Sequence, residues 1–291
     1  MIRGDFMYRF LVFKFNPKPL IIVAVLLFFF SAGYFIPKNR AENSDVKLPI
    51  IMYHQVLKDN ALHGTYVISP NELENDIKYI KTKGYNFVTV SDVVSYVYNN
   101  TPLPPKPIIL TFDDGFATGY SYVYPILERY GAKAVISPIT IHSEAYSNTT
   151  DKHLSYAHLT WEEMKVISES GIVEIANNTY NMHSTKDRKG IKIKEGENPD
   201  EYKNLLSLDI SKAQEQIKSA TGKAPVTFTY PFGYSCPEAE EFIRNIGFKA
   251  SLSCTEGINI ITKDKNCLYN LKRYNRPHNI DSYTFFKQMG I

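Results

Sequence analysis

Thr111-Phe112-Asp113-Asp114-Gly115 ends an apolar run that begins at Pro107. An apolar run followed by glycine predicts a buried strand that ends in a sharp turn. Side chains alternate along a strand, so the two aspartates point to opposite sides and predict two different roles. One carboxylate can hold a metal ion while the other takes a proton from water. An ordinary Asp-Asp-Gly turn without any chemistry explains the same residues equally well.

The composition excludes some classes of protein. Hydrophobic residues make up 44% of the chain and charged residues 22%, which are ordinary globular values. A net charge of +3 is too small to predict a nucleic-acid partner. The three cysteines have no Cys-x-x-Cys spacing, which excludes a zinc ribbon and favours free thiols, although Cys254 and Cys267 have the option of pairing outside the cell.

The N-terminal part of the chain predicts a membrane anchor. Residues 20–36 are an unbroken run of apolar or small residues, at the short end of the membrane-spanning range. Residues 1–19 carry several cationic side chains and are predicted to stay in the cytoplasm. A cleaved signal peptide, with Ser31-Ala32-Gly33 at the cleavage site, is the alternative. Residues 37–47 are predicted to form a linker and residues 48–291 a single extracellular domain.

From residue 48 onward, short apolar strands alternate with amphipathic helices. This alternation predicts parallel strands with helices outside, in either a closed barrel or an open doubly wound sheet. Ser91 is predicted to cap a helix, residues 140–159 to form a long polar loop, and residues 208–220 to form a helix. In either architecture the functional site lies at the carboxyl ends of the strands, where His54, the two aspartates and the segment after Ala176 fall.

The segment after Ala176 contains Asn178 and His183 in a predicted loop. The spacing of these two residues would place them on different sides of a helix, so a metal site here requires a loop that curls around the ion. His183 and Asp114 form a plausible imidazole–carboxylate pair. A catalytic zinc site usually has three protein ligands, so the third is missing or unusual.

Three motifs together resemble a known family. They are the stretch 111–115, the loop Thr179-Tyr180-Asn181-Met182-His183-Ser184 and the later stretch Thr229-Tyr230-Pro231-Phe232-Gly233. Residues 48–291 resemble the polysaccharide deacetylases of carbohydrate esterase family four, which carry a NodB-homology domain. The resemblance implies an α/β fold, an irregular (β/α) barrel of about seven parallel strands. It also implies removal of acetyl groups from polysaccharides with zinc, or with cobalt, manganese, nickel or iron.

The resemblance assigns roles to the metal-site residues one at a time. It implies that Asp113 is the catalytic base, Asp114 a metal ligand and His183 the second histidine ligand. The family's first histidine ligand falls on Asn178, whose neutral carbonyl oxygen is a weaker ligand for zinc. The arginine that partners the base in many relatives falls on Thr229.

The remaining assignments concern the substrate. The resemblance implies that the backbone amide at Phe232 helps to hold the oxyanion, that Tyr230 belongs to the same substrate and oxyanion site, and that His278 is the general acid. His54 ends the first strand and faces the same rim, where it can contact substrate or replace a ligand. A histidine packed between loops is the alternative.

Two functions follow from the sequence. The first is a membrane-anchored deacetylase of an extracellular or cell-wall polysaccharide, single-pass in the cell membrane or secreted if the leader is cleaved. The second is a catalytically impaired relative that binds glycan, because Asn178 replaces a histidine ligand. The partners in both cases are a polysaccharide and, through residues 20–36, the membrane.

Overall fold

The computed structural model of the protein describes residues 45–291. The strands of this part are β1 Val46–Leu48, β2 Ile50–Tyr53, β3 Gln55–Val56, β4 Val67–Ile68, β5 Asn86–Phe87, β6 Pro107–Asp114, β7 Ala134–Pro138, β8 Val173–Ile175, β9 Thr227–Thr229, β10 Ala250–Leu252, β11 Asn259–Ile261 and β12 Tyr274–Asn275. Its α-helices are α1 Pro70–Thr82, α2 Val90–Asn99, α3 Tyr124–Tyr130, α4 Thr140–Ser147, α5 Trp161–Glu169, α6 Pro199–Thr221, α7 Pro237–Asn245 and α8 Ser282–Gln288.

Parallel strands form a barrel-like ring. β12, β2, β6, β7 and β8 are hydrogen-bonded in that order, and β9 pairs in parallel with β10. Single bridges join the two groups: Asn177 pairs with Phe228 of β9, and Leu252 of β10 pairs with Leu271 just before β12. The predicted α/β barrel-like fold of parallel strands with helices is therefore confirmed.

Alternation along β6 gives its side chains two environments. Leu110 and Phe112 pack in a large apolar cluster with side chains of the surrounding helices. Ile109 packs instead with Ile50 and with side chains of β7 and β10, which brings together residues from different strands inside the ring. Asp113 has the same parity as Ile109, so the strand directs its carboxylate inward.

Two helices begin earlier than predicted. α6 begins at Pro199 instead of residue 208, because Asn198 Oδ1 accepts the N–H of Asp200 at 2.8 Å and caps the helix. α2 begins one residue before Ser91, because Thr89 is its N-cap. Capping side chains therefore set both starts, and the hydrophobic pattern alone placed them too late.

Part of the predicted polar loop 140–159 is helical. α4 occupies Thr140–Ser147, and its Thr140 and Ser143 are buried. The helix has low amphipathic contrast because polar side chains face the core, so its period is hard to detect in the sequence.

The predicted membrane-spanning segment 20–36, together with residues 1–19, lies outside the described residues. In the part of the chain that the structure describes, none of the helices combines the length and the apolar character needed to cross a bilayer. The three cysteines lie in this described part, and all are free thiols.

A buried ion pair joins α1 to the C-terminal segment. The guanidinium of Arg276 donates to both carboxylate oxygens of Asp76, at 2.8 and 3.1 Å, and both side chains are fully buried. The Tyr53 hydroxyl donates to Asp76 at 3.0 Å and the Ser282 hydroxyl at 2.6 Å. The hydrogen bonds from Arg276, Tyr53 and Ser282 therefore all depend on the Asp76 carboxylate.

The substitution Asp76→Asn is expected to lower the free energy of unfolding by about 3–5 kcal/mol, because it leaves the buried Arg276 charge without its counter-ion. Urea unfolding of the purified protein measures the change. Asp187→Asn is the matched control, since Asp187 is exposed and the same substitution there removes no buried pair. Equal unfolding midpoints for the two variants would contradict this account of the network.

Candidate active site

Asp113 is held by a buried arginine. The guanidinium of Arg273 donates from Nη1 to Asp113 Oδ1 at 2.7 Å and from Nη2 to Oδ2 at 2.8 Å. Nη1 also donates to Thr111 Oγ1 at 3.1 Å, and Nε donates to the Ser253 carbonyl oxygen at 2.7 Å. Burial alone would raise the pKa of Asp113, but the charge and hydrogen bonds of Arg273, with smaller contributions from His54 and His183, together outweigh burial and hold the pKa below its ordinary value. Asp113 is therefore an ionised carboxylate in a fixed orientation.

Asp114 leaves the strand in a left-handed conformation. Its φ is 68°, and Gly115 follows with a φ of 72°. A Cβ atom at position 115 would lie 2.6 Å from the Pro138 Cβ atom, so only glycine fits at this turn. By parity Asp114 would point toward the helices, as Phe112 does, but the left-handed turn redirects its carboxylate to the rim of the ring.

The redirected carboxylate meets His183. Asp114 Oδ1 lies 3.4 Å from His183 Nε2, and each side chain is about one-fifth exposed, 21% and 17% respectively. Burial and the neighbouring Asp113 charge raise the pKa of Asp114 to about 7, and burial lowers the pKa of His183 to about 4. A cation placed between these two groups would compensate a carboxylate that burial otherwise disfavours.

The loop that carries the histidine is fixed by α6. The Asp209 carboxylate accepts the backbone N–H groups of Tyr180 and Asn181, both at 2.8 Å. Thr179 is left-handed, with a φ of 69°, and donates its N–H to Asn177 Oδ1 at 2.9 Å. These contacts hold the loop in a curled conformation, which a metal site containing both Asn178 and His183 would need.

Asn178 lies in the same loop and is almost completely buried, with 1% of its surface exposed. Its Nδ2 is 3.5 Å from the Ser137 carbonyl oxygen, at the long limit of a hydrogen bond. Its Oδ1 is buried and has no hydrogen-bond partner among the described residues. An orphaned buried carbonyl oxygen costs free energy unless a ligand or ion satisfies it. The donor set of Asp114, His183 and Asn178 therefore fits a divalent ion that accepts oxygen and nitrogen ligands.

Phe232 occupies a strained turn beside this site. Its φ is 55°, which is uncommon for an aromatic residue, and its ring centre lies 4.2 Å from that of His183. Gly233 follows in the same conformation, where a Cβ atom would lie 2.6 Å from the Cβ of Cys254. Tyr230 begins the turn and is buried. Strained backbone of this kind concentrates at functional sites.

The predicted substrate histidines lie in different places. His54 is close to Asp113, its Nδ1 is buried without a hydrogen-bond partner in residues 45–291, and burial lowers its pKa. The imidazole of His278 instead lies 2.9 Å from the Glu72 carboxylate, with its ring centre 4.6 Å from that of His63. The structure does not bring His278 to the other predicted site residues.

A cavity of about 620 Å³ unites the remaining predicted residues. Its walls are formed by Met52, His54, Gln55, Tyr66, Val67, Asp113, Asp114, Phe116, Asn178, His183, Tyr230, Phe232, Tyr234, Cys254 and Asn275. It is therefore lined by carboxylates, imidazoles, amides and aromatic rings.

Two residues that hold the site were missed in the sequence. The partner of Asp113 is Arg273, while Thr229, where the family's arginine falls, pairs its hydroxyl with Ser137 at 2.8 Å. Leu271 and Arg273 are buried on either side of an exposed lysine, but the sequence shows only one apolar residue followed by two cations, which gives no strand pattern. Asp209 gave no signal either, because a single acid in a long helix is ordinary.

Comparison with known proteins identifies relatives that are similar to this chain in sequence. Residues 100–251 match the polysaccharide deacetylase family. A poly-β-1,6-N-acetyl-D-glucosamine N-deacetylase of Staphylococcus aureus strain MRSA252 is 26% identical over 242 residues, which cover 78% of this chain and 77% of the relative. The protein of the same name from Escherichia coli K12 is 23% identical over 230 residues, covering 72% of this chain but 34% of the relative. The chain thus spans about a third of the length of the Escherichia coli relative.

A solved structure agrees in fold. A de-N-acetylase from Aggregatibacter actinomycetemcomitans superimposes with a TM-score of 0.69 at 27% sequence identity, covering 84% of this chain and 99% of that one. The family match covers more than half of the 291 residues and includes the Asp113–Asp114 pair, Asn178 and His183. This chain is a member of the polysaccharide deacetylase family.

Proposed function

We propose that the protein hydrolyses N-acetyl groups of a polysaccharide built from β-1,6-linked N-acetylglucosamine. The proposal is supported by two contacts in the cavity: Arg273 orients Asp113, and Asp114 faces His183. The names of the Staphylococcus aureus and Escherichia coli relatives support the choice of polysaccharide.

Asp113 serves as the general base. Its pKa is held below the ordinary value by the Arg273 guanidinium despite burial, so it stays ionised and ready to accept a proton at neutral pH. Each carboxylate oxygen that accepts an Arg273 N–H keeps a further lone pair. Asp113 takes a proton from the attacking water as the water oxygen bonds to the acetyl carbon. Asp113 then returns that proton to the amide nitrogen as the C–N bond breaks, and the products are acetic acid, which ionises to acetate, and a free amine.

Asp114, His183 and Asn178 would hold the divalent ion. Such an ion, when bound, polarises the acetyl carbonyl and makes water acidic enough to react at neutral pH. The neutral amide oxygen of Asn178 favours ions that accept oxygen ligands, such as cobalt, manganese or iron, over zinc. Binding also removes the penalty of the orphaned Asn178 Oδ1 and of the buried Asp114 charge.

The turn at Phe232 completes the reaction site. Its left-handed backbone places the residue at the cavity wall beside His183, where its N–H would donate to the developing oxyanion. His54, which lines the same cavity and has a buried and unpartnered Nδ1 among the described residues, offers a hydrogen-bonding group to the substrate.

Aromatic rings around the cavity suit a sugar chain. Tyr66, Phe232 and Tyr234 all line it, although 57%, 45% and 37% of their surfaces are exposed. Exposed aromatic side chains grouped around a cavity mark a binding surface, and their flat faces pack against the apolar faces of sugar rings. The substrate is therefore a chain that extends beyond the reacting sugar.

Asn178 favours a second candidate function, that of a catalytically impaired relative that binds glycan. A protein that lacks a histidine ligand holds zinc weakly and can keep the cavity for binding glycan without turnover. We place either activity at the cell surface, on the strength of the apolar segment 20–36 in the sequence.

Asp113→Asn is expected to lower acetate release from β-1,6-linked N-acetylglucosamine oligomers by about 10²–10⁴-fold, because a neutral amide cannot accept the proton. Enzymatic assay of free acetate with the purified full chain measures the rate. Asp187→Asn, an exposed substitution of the same kind, is expected to retain the rate of the unaltered protein. Acetate release that survives Asp113→Asn undiminished would refute the role of the base.

Asn178→His is expected to retain zinc through dialysis at least about tenfold more tightly than the unaltered protein, since imidazole is the better zinc ligand. Bound metal is measured by elemental analysis, and acetate release is measured on the same samples. Release by the unaltered protein supports the deacetylase. Release by the histidine variant alone would show that this chain is a catalytically impaired relative.

Tyr66→Ala is expected to raise KM by about tenfold with little change in kcat, since a ring contact worth about 1–1.5 kcal/mol is lost while Asp113, Asp114 and His183 are unchanged. Tyr66→Phe keeps the ring and is expected to keep KM. Steady-state kinetics with oligomers of increasing length measure both constants. A KM for Tyr66→Ala equal to that of Tyr66→Phe on the longest oligomers would remove this residue from the sugar-binding wall.

A further inference from the structure

A second group of metal-ligating side chains lies outside the cavity described above. His63, Glu72 and His278 each offer one ligand atom, and these atoms lie within 4.8 Å of one another. His63 follows the short turn Asn60–Leu62, Glu72 belongs to the first turn of α1, and His278 lies before α8. The fold therefore brings together three segments that are far apart in the sequence.

The hydrogen bonds of His63 leave a ring nitrogen free. Its Nε2 lies 2.8 Å from the Leu57 carbonyl oxygen. A carbonyl oxygen only accepts, so Nε2 carries the proton and Nδ1 keeps its lone pair. A histidine that ligates a metal is commonly fixed in this way, through a proton on its other nitrogen donated to a backbone carbonyl.

The two carboxylate oxygens of Glu72 have different hydrogen-bond partners. Its Oε2 accepts the backbone N–H and the hydroxyl of Ser69, both at 2.8 Å, which fixes the carboxylate as part of the capping box of α1. His278 Nδ1 lies 2.9 Å from both Oε1 and Oε2, and His278 is the side chain that contacts Oε1. The nearby guanidinium of Arg276 donates its hydrogen bonds to both oxygens of Asp76 and so forms its ion pair with Asp76 instead of Glu72.

We propose that His63, Glu72 and His278 bind a divalent transition-metal ion. Two imidazoles and one carboxylate are a ligand set that zinc, cobalt, nickel and ferrous iron accept. The ion takes the place of the proton that His278 Nδ1 and Glu72 Oε1 share, and that proton is released to solvent. The side chains of His278 and Glu72 are 25% and 19% exposed, which leaves a route for the ion and room for water ligands.

This ion would fasten the wall of the cavity. The backbone N–H of His278 donates to the Gly64 carbonyl oxygen at 2.9 Å, and Asn275 Nδ2 donates to the Thr65 carbonyl oxygen at 3.0 Å. Tyr66 and Asn275 line the cavity. The ion therefore joins α1 to the two segments that support Tyr66, without contacting the reacting atoms.

The test uses the full chain with Asp114→Asn and His183→Ala, which remove the carboxylate and the imidazole that would hold the ion in the cavity. Cobalt(II) is added, free metal is removed by dialysis, and bound cobalt is measured by elemental analysis and by its absorption spectrum. We expect one cobalt ion per chain to remain. A chain that retains none would overturn the proposal, whatever the outcome of the acetate assay.

Further substitutions in the same background locate the ion. Glu72→Gln is the first variant, because glutamine also serves in a capping box and the helix start is preserved. It is expected to weaken cobalt binding by more than about 100-fold, given that loss of an outer-shell group alone costs 10–100-fold. His63→Gln is expected to have the same effect, and it leaves α1 untouched.

His153→Gln is the matched control, since His153 is exposed and contacts Ser155 rather than the proposed ligands. Cobalt binding is expected to persist in this variant. Retention of cobalt after both Glu72→Gln and His63→Gln would show that the ion binds elsewhere and would overturn the proposal. Because cobalt binding also displaces a proton, the affinity of the site is expected to fall as the pH is lowered.

Discussion

The buried pair of Asp113 and Arg273 is the constraint on which the site depends. All the N–H groups of a guanidinium need partners when it is buried, and here they are taken by Asp113, Thr111, the Ser253 carbonyl and the Cys254 sulfur. Removing either charged partner would strand the other in a dry interior, at a cost of about 3–5 kcal/mol. The pair therefore fixes the orientation of the carboxylate and ties the last strand of the ring to the middle of the sheet.

The geometry around this pair follows from strand order. β12 lies beside β2, and β2 beside β6, so a residue near the C-terminus reaches a residue near the centre of the chain inside the ring. The left-handed turn at Asp114 and Gly115 then moves the second carboxylate from the helix face to the rim. On the other side Asp209 holds the loop that carries His183. Two carboxylates that are adjacent in sequence thus have different partners: Asp113 pairs with the cationic Arg273, and Asp114 faces the imidazole of His183.

The amino-acid sequence predicts this arrangement in part. Strand alternation predicts that Asp113 and Asp114 point to opposite sides, but the left-handed turn brings Asp114 back to the rim, and both carboxylates line the cavity. The strand–helix alternation correctly predicts parallel strands. Hydrophobic patterns describe only one element at a time, so they do not reveal that Arg273 crosses the ring to Asp113, or that Asp209 caps a loop from a distant helix. His278 illustrates the same limit, because its neighbours come from α1 and a turn that no local pattern connects to it. Asn178 was recognised as a departure, but its orphaned oxygen is visible only in three dimensions.

We propose that a divalent ion lies between Asp114 and His183 while Asp113 remains paired with Arg273. Anomalous diffraction from crystals grown with cobalt or zinc, measured at the absorption edge of the metal, tests it most directly. The account predicts an anomalous peak about 2.0–2.2 Å from an Asp114 oxygen and from His183 Nε2, on the side of Asn178. A cavity without such a peak, with Asp114 and His183 still in direct contact at saturating metal, would contradict it.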